Sequence, residues 1–159
     1  MIYITGDCHG NYSRFARENF PQQDSMTKDD FMIVCGDFGL WEDSPRENKV
    51  MDALQDLPFT ILWVDGNHEN YDLIRTFPVQ KWHGGNVQFI RPNVIHLMRG
   101  QVFEIDGYSF FTFGGANCHD IDGGVPLAVR QTVQSCAAIR FFYSLHFRFS
   151  FGCMSLKCV

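Results

Sequence analysis

The sequence predicts an α/β fold, and three observations carry that prediction. The apolar runs 1–5, 31–35 and 59–64 lack the polar alternation of a half-solvated sheet, which suits strands covered on both faces. Stretches of helical character separate them. Each run ends abruptly in a loop built from Gly with Asp, Asn or His. Strand, helix, strand, helix, strand in that order gives a mostly parallel sheet with helices packed on it. In such sheets ligands collect at the carboxyl ends of the strands.

Taken in order, Met1 to Thr5 reads as a short buried strand, because Ile2, Tyr3 and Ile4 are good strand formers. Residues 11–20 have helical character, with Asn11 or Ser13 as cap. Phe31 to Cys35 is the second strand. Ser44-Pro45-Arg46-Glu47 then has the form of a capping box with proline at the first helical position. Val50, Met51, Ala53, Leu54 and Leu57 follow at helical spacing, and Pro58 closes the helix. Phe59 to Val64 is the third strand. After residue 85 shorter strands follow at 87–90, 94–98, 101–105 and 108–113. Asp106-Gly107 joins the last two as a two-residue hairpin turn, so this part reads as antiparallel or mixed sheet.

A chain of 159 residues can bury one proper core. The net charge of -5 argues against a partner held through a phosphate backbone, so nucleic acid is not expected as a structural partner. An anionic substrate would need a local positive centre, which a bound metal supplies. The apolar runs are too short to cross a bilayer, and no secretory signal opens the chain. Six cysteines, at 8, 35, 118, 136, 153 and 158, form no Cys-x-x-Cys pair. These features predict a cytoplasmic protein with reduced thiols, no membrane partner and no sulfur-based zinc site.

The loops after the three strands are Gly6-Asp7-Cys8-His9-Gly10, Gly36-Asp37-Phe38-Gly39 and Asp65-Gly66-Asn67-His68-Glu69. If the strands are parallel neighbours, Asp7, His9, Asp37, Asn67 and His68 meet on one edge of the sheet. Converging carboxylates repel unless one protonates or a cation joins them. Oxygen and imidazole donors without thiolate suit Mn, Fe, Zn or Mg. A carboxylate such as Asp37 can bridge two ions about 3.5–4 Å apart, an arrangement that activates water and clamps a phosphate. Cys8 points away by alternation and reads as a buried filler. Trp41 and Trp63 read as core, with the mouth of the site as the other option for Trp41. Arg14 and Arg75 read as solvated arginines, with a phosphate contact as the alternative.

These three blocks resemble the first signature blocks of the calcineurin-like metallophosphoesterases, over roughly residues 1–124, including Gly114-Gly115-Ala116. The resemblance implies a metallophosphoesterase-type β-sandwich flanked by helices and incomplete at its C-terminus. It implies two divalent ions, with Asp7 and His9 on the first, Asp37 bridging both and Asn67 on the second. His68 would contact the phosphate and serve the leaving oxygen as the catalytic residue, with Glu69 orienting its ring. The implied reaction is hydrolysis of phosphomono- or diesters through a metal-activated hydroxide, on a small phosphoester or a phosphoprotein.

The chain also departs from that pattern. It has no Gly-His dipeptide beyond residue 10 and no His-x-His, where the family carries its later histidine ligands. The second metal site is therefore expected to be weakened. Of the remaining histidines, His119 is the leading substitute, ahead of His83, His96 and His146. Residues 125–159 form an atypical basic, Phe- and Cys-rich tail: all 18 acidic residues lie before it. Two readings of the tail stay open, a basic closing segment or a foreign end left by truncation or frameshift. The alternative to an active enzyme is then a catalytically impaired family fragment or a non-enzymatic interaction module.

Overall fold

The computed structural model describes residues 1–114 and the backbone of the strand Ala138–Phe142. Among the described residues, nine strands make two sheets. The first holds β1 (Ile2–Thr5), β2 (Phe31–Cys35), β3 (Thr60–Val64), β4 (Val79–Trp82), β5 (Gly85–Arg91) and β6 (Val94–Leu97), in spatial order β1-β2-β3-β6-β5-β4. Strands β1, β2, β3 and β6 run parallel, with Ile4 beside Ile33 and Ile33 beside Leu62. At the edge β5 pairs antiparallel with β6, and β4 antiparallel with β5. The second sheet is antiparallel, β7 (Gln101–Ile105), β8 (Tyr108–Phe113) and β9 (Ala138–Phe142).

Side-chain alternation splits the core in two. Met32, Val34, Ile61, Trp63 and Val94 face Met51 and Leu54 of α1 (Pro45–Gln55) and Ile74 of α2 (Tyr71–Thr76). Ile33, Leu62, Val64, Ile95 and Leu97 face the other way, onto Phe103, Ile105 and Phe110 of the second sheet. Both faces of β2 and β3 are covered, which is why these strands read as unbroken apolar runs. The α/β class and the stacked sheets with helices outside agree with the sequence reading.

Ser44 caps α1 as expected, its Oγ accepting the Glu47 N–H at 3.2 Å. The Glu47 carboxylate accepts instead from Trp41 N–H and Glu42 N–H, at 2.8 and 2.9 Å, and so ties the incoming loop to the helix. Replacing Ser44 by alanine is expected to cost about 1 kcal/mol, read as a shift of the urea midpoint at unchanged slope.

Residues 11–20 do not form the expected helix. Ser13–Phe15 is one 3₁₀ turn and Pro21–Ser25 another. The Asn11 side chain accepts the Ser13 N–H at 3.1 Å, a local bond that competes with helix. Ala16 is extended, with ψ 146°, and the residue before Pro21 is turned away from the helical region, ψ 69°. Two elements were missed. The helix α2 is only six residues long, though Asn70 caps it by accepting from Leu73 N–H. Strand β4 is largely exposed and shows no apolar pattern.

Of the expectations for the C-terminal part, Gly115-Ala116, His119, His146 and most of the 125–159 tail lie outside the described residues. Within the tail, the backbone of β9 pairs antiparallel with β8, Ile139 beside Thr112 and Phe141 beside Phe110.

Candidate metal centre

The three loops do converge, and backbone hydrogen bonds hold them together. Cys8 N–H and His9 N–H both donate to the Asp37 carbonyl, at 3.0 and 2.7 Å, and Gly10 N–H donates to the Phe38 carbonyl at 3.1 Å. The third loop meets the second at Gly66, where a Cβ would collide with the Asp37 carboxylate and amide nitrogen. His68 N–H donates to Asp37 Oδ1 at 2.8 Å. Asn67 thus sits between two residues that both touch Asp37.

Two of the expected ligands occupy the left-handed region of backbone space, His9 with φ 48° and Asp37 with φ 39°. The other non-glycine residues of this kind among those described, His83 and Asp106, sit in hairpin turns. His9 also lies in a turn, where Asn11 N–H donates to the Cys8 carbonyl at 2.8 Å. Asp37 does not, and strain held outside a turn marks a place where geometry is imposed by the surroundings.

One ligand atom each from Asp7, His9 and Asp37 lies within 4.8 Å of the others. His9 Nε2 stands 3.9 Å from Asp7 Oδ2 and 3.6 Å from Asp37 Oδ2. The Asp37 side chain is only 7% exposed, whereas Asp7 and His9 are 55% and 51% exposed and open to solvent. Two carboxylates and an imidazole with a solvent-facing side form a donor set that fits a hard divalent cation. The His68 ring lies beside this group, its centroid 5.6 Å from that of His9.

The supports of the site are partly those that the sequence suggested and partly not. Glu69 is buried, and its carboxylate accepts from Phe38 N–H at 2.6 Å and Gly39 N–H at 3.4 Å. The resemblance gave it the His68 ring to orient; the bonds recorded here tie the third loop to the second. Burial pushes the Glu69 carboxyl up to about 8, against the pull of the two N–H groups, and the Asp37 and Asp65 carboxylates add to the push. Arg14 is not a free surface cation. Its guanidinium donates to Thr5 Oγ1, the Gly6 carbonyl and the Asp7 carbonyl, at 2.7, 3.1 and 2.6 Å, and so anchors the first loop. Trp41 is not core: it is 43% exposed, rests against Gly10 and donates from Nε1 to the His68 carbonyl at 3.0 Å. The mouth of the site, the other option for Trp41, is where it lies; Trp63, inside the third apolar run, is fully buried. Cys8 is buried as expected. Arg75 pairs with Asp72 on the surface.

Two candidate replacement ligands have other duties. His83 Nδ1 lies 2.8 Å from the Glu104 carbonyl. His96 is buried, with Nδ1 on Gln88 and Nε2 on Asp65.

Residues 1–135 match the family model of calcineurin-like phosphoesterases. The chain belongs to that family. No curated protein and no solved structure matches it. As a calcineurin-like phosphoesterase, it carries the family's metal-dependent hydrolase character at the level of the family, and its Asp7–His9–Asp37 group stands at the carboxyl ends of β1 and β2, where the parallel sheet offers a ligand site. No helix among the described residues is long and apolar enough to cross a membrane.

Proposed function

We propose that this chain is a hydrolase of phosphomono- or diesters that works with divalent metal ions. The observation that carries the reading is the convergence of Asp7, His9 and Asp37 ligand atoms within 4.8 Å in a calcineurin-like phosphoesterase. Asp7, His9 and Asp37 would hold a first ion, Mn, Fe, Zn or Mg; Asp37 and Asn67 would hold a second. Ions bound there lower the pKa of water and neutralise charge on the phosphoryl oxygens. The chain's own residues do the rest. His68 Nδ1 or Nε2 contacts the phosphoryl group and gives a proton to the departing oxygen. The His68 N–H holds Asp37 Oδ1 in place, and Trp41 fixes the His68 carbonyl from the other side. The substrate is a small phosphoester or a phosphorylated protein side chain. A cytoplasmic setting fits the free Cys8 and Cys35 thiols, which burial pushes up to about 11 and about 12.

The test is metal analysis and turnover of 4-nitrophenyl phosphate and bis(4-nitrophenyl) phosphate by the Mn-loaded chain. Mn-dependent release of nitrophenolate supports the reading. A specific observation favours the impaired-fragment alternative: among the described residues, His83 and His96 do not take the places of the later ligands. Accordingly, equilibrium dialysis is expected to find one ion held tightly per chain and a second held at least about ten-fold more weakly. Turnover no higher than that of an Asp37→Ala control would decide for the fragment.

A further inference from the structure

Behind the third loop lies a buried polar cluster that no ligand role uses. Asp65, immediately before Gly66, is 1% exposed. A carboxylate so placed is costly unless it is paired. Its Oδ2 accepts from Arg99 Nη2, and its Oδ1 lies 3.3 Å from Nε2 of His96 on β6. His96 Nδ1 in turn lies 2.9 Å from Oε1 of Gln88 on β5. The Gln88 amide nitrogen donates to the Ile74 and Phe77 carbonyls, at 2.7 and 3.0 Å. Carbonyl oxygens only accept, so this orientation of Gln88 is forced, and His96 Nδ1 must be a donor. A series of polar contacts therefore runs from the end of α2, across β5 and β6, to the start of the third loop. Burial by itself would raise the Asp65 carboxyl, but His96 and Arg99 outweigh it and hold the group below the usual carboxylate range.

The cluster grips the loop at a second point. Tyr71 donates its hydroxyl to the Gly66 carbonyl, and the Arg99 guanidinium carbon lies 5.2 Å from the centre of the Tyr71 ring. Gly66 is the residue that abuts Asp37, and His68 N–H bonds its Oδ1. We propose that Arg99, Asp65 and His96 are positioning residues: together they latch the third loop so that it sets the orientation of the Asp37 carboxylate. The proposal rests on the reading of Asp37 as the shared metal ligand. A buried ion pair is a poor source of stability compared with apolar packing. Its use here is to fix one loop position, because Arg99 and His96 reach the Asp65 carboxylate from outside the third loop.

The experiment is amide hydrogen exchange of the metal-free full chain by NMR, with Mn binding by calorimetry alongside. In Arg99→Met and Asp65→Asn, exchange of the His68 amide is expected to quicken about ten-fold or more, while the Ile33 and Val34 amides of β2 keep their rates. Mn affinity is expected to fall about 10- to 100-fold, with Arg99→Lys recovering part of both effects. A His68 amide that exchanges as in the wild type in these folded variants overturns the proposal. So does an unchanged Mn affinity in variants whose β2 amides and melting temperature alone have shifted, which is what a purely structural role predicts. Should the wild-type chain take up no Mn, the proposed function falls, and the His68 exchange rates decide the latch by themselves.

Discussion

Replacing Asp37 by alanine is expected to reduce phosphoester turnover to background and to weaken Mn binding by more than about 100-fold, beyond the cost of losing an outer support of a metal site. The Asp37 carboxylate meets both of the other loops. It stands 3.6 Å from His9, takes the His68 N–H and is almost fully buried. Without it Asp7 and His9 remain as two exposed donors, too few for a held ion. The fold should survive, because the backbone carbonyl of residue 37, which accepts from Cys8 and His9, is untouched. Alanine at φ 39° adds about 1–2 kcal/mol of backbone strain. Asp37→Asn avoids that strain and isolates the charge.

Asp37→Asn and the wild type are also expected to cross in stability. In the metal-free chain Asp37 is a buried negative charge close to Glu69, whose carboxyl it helps to push up. At pH values above about 8, where Glu69 is ionised, Asp37→Asn relieves that repulsion, so its metal-free melting temperature there is expected at or above that of the wild type. Adding Mn reverses the order, since only the wild type binds it: an ion at one hundred times its dissociation constant stabilises by about 2.7 kcal/mol. Differential scanning fluorimetry with and without Mn reads both halves. If Mn shifts the two proteins equally, Asp37 is not a ligand.

How much of this was legible in the sequence depended on whether a residue acts through local pattern or through distant contact. The parallel strands were legible because burial on both faces leaves continuous apolar runs, and the Asp106-Gly107 turn because both residues adopt positive φ, 53° and 79°. The convergence of Asp7, His9 and Asp37 followed from placing each loop after a parallel strand. The helix expected over 11–20 failed because Asn11 and Pro21 each impose a local alternative that periodicity does not register. Strand β4 was hidden because an exposed edge strand needs no apolar face. At the site, Arg14 and Trp41 looked like an ordinary surface cation and an ordinary core aromatic. Their roles depend on the carbonyls of Asp7 and His68, which no side-chain pattern records. The Asp65–His96–Arg99 cluster was out of reach for the same reason: it joins residues 31 and 34 positions apart.

The glycines of the metal loops offer the sharpest separation between a turn that merely tolerates glycine and a close approach that requires it. Gly39→Ala is expected to destabilise the chain by about 3–5 kcal/mol and to abolish tight metal binding. The residue sits at φ 102°, where an L side chain costs about 1–3 kcal/mol. Its added Cβ would strike the Gly10 nitrogen and Cα, backbone against backbone, with no flexible side chain to give way. The first loop must then lift from the second, losing the bonds from His9 N–H to the Asp37 carbonyl and from Gly10 N–H to the Phe38 carbonyl, worth about 1 kcal/mol each. For a domain stable by about 5–15 kcal/mol that is a large fraction. Gly6→Ala, in the first of the same loops, meets no atom within 4 Å and should leave stability within about 0.5 kcal/mol of the wild type. Urea denaturation of the two variants compares them directly. Equal midpoints would mean that the first and second loops do not pack backbone to backbone, and His9 would then have no fixed place beside Asp37.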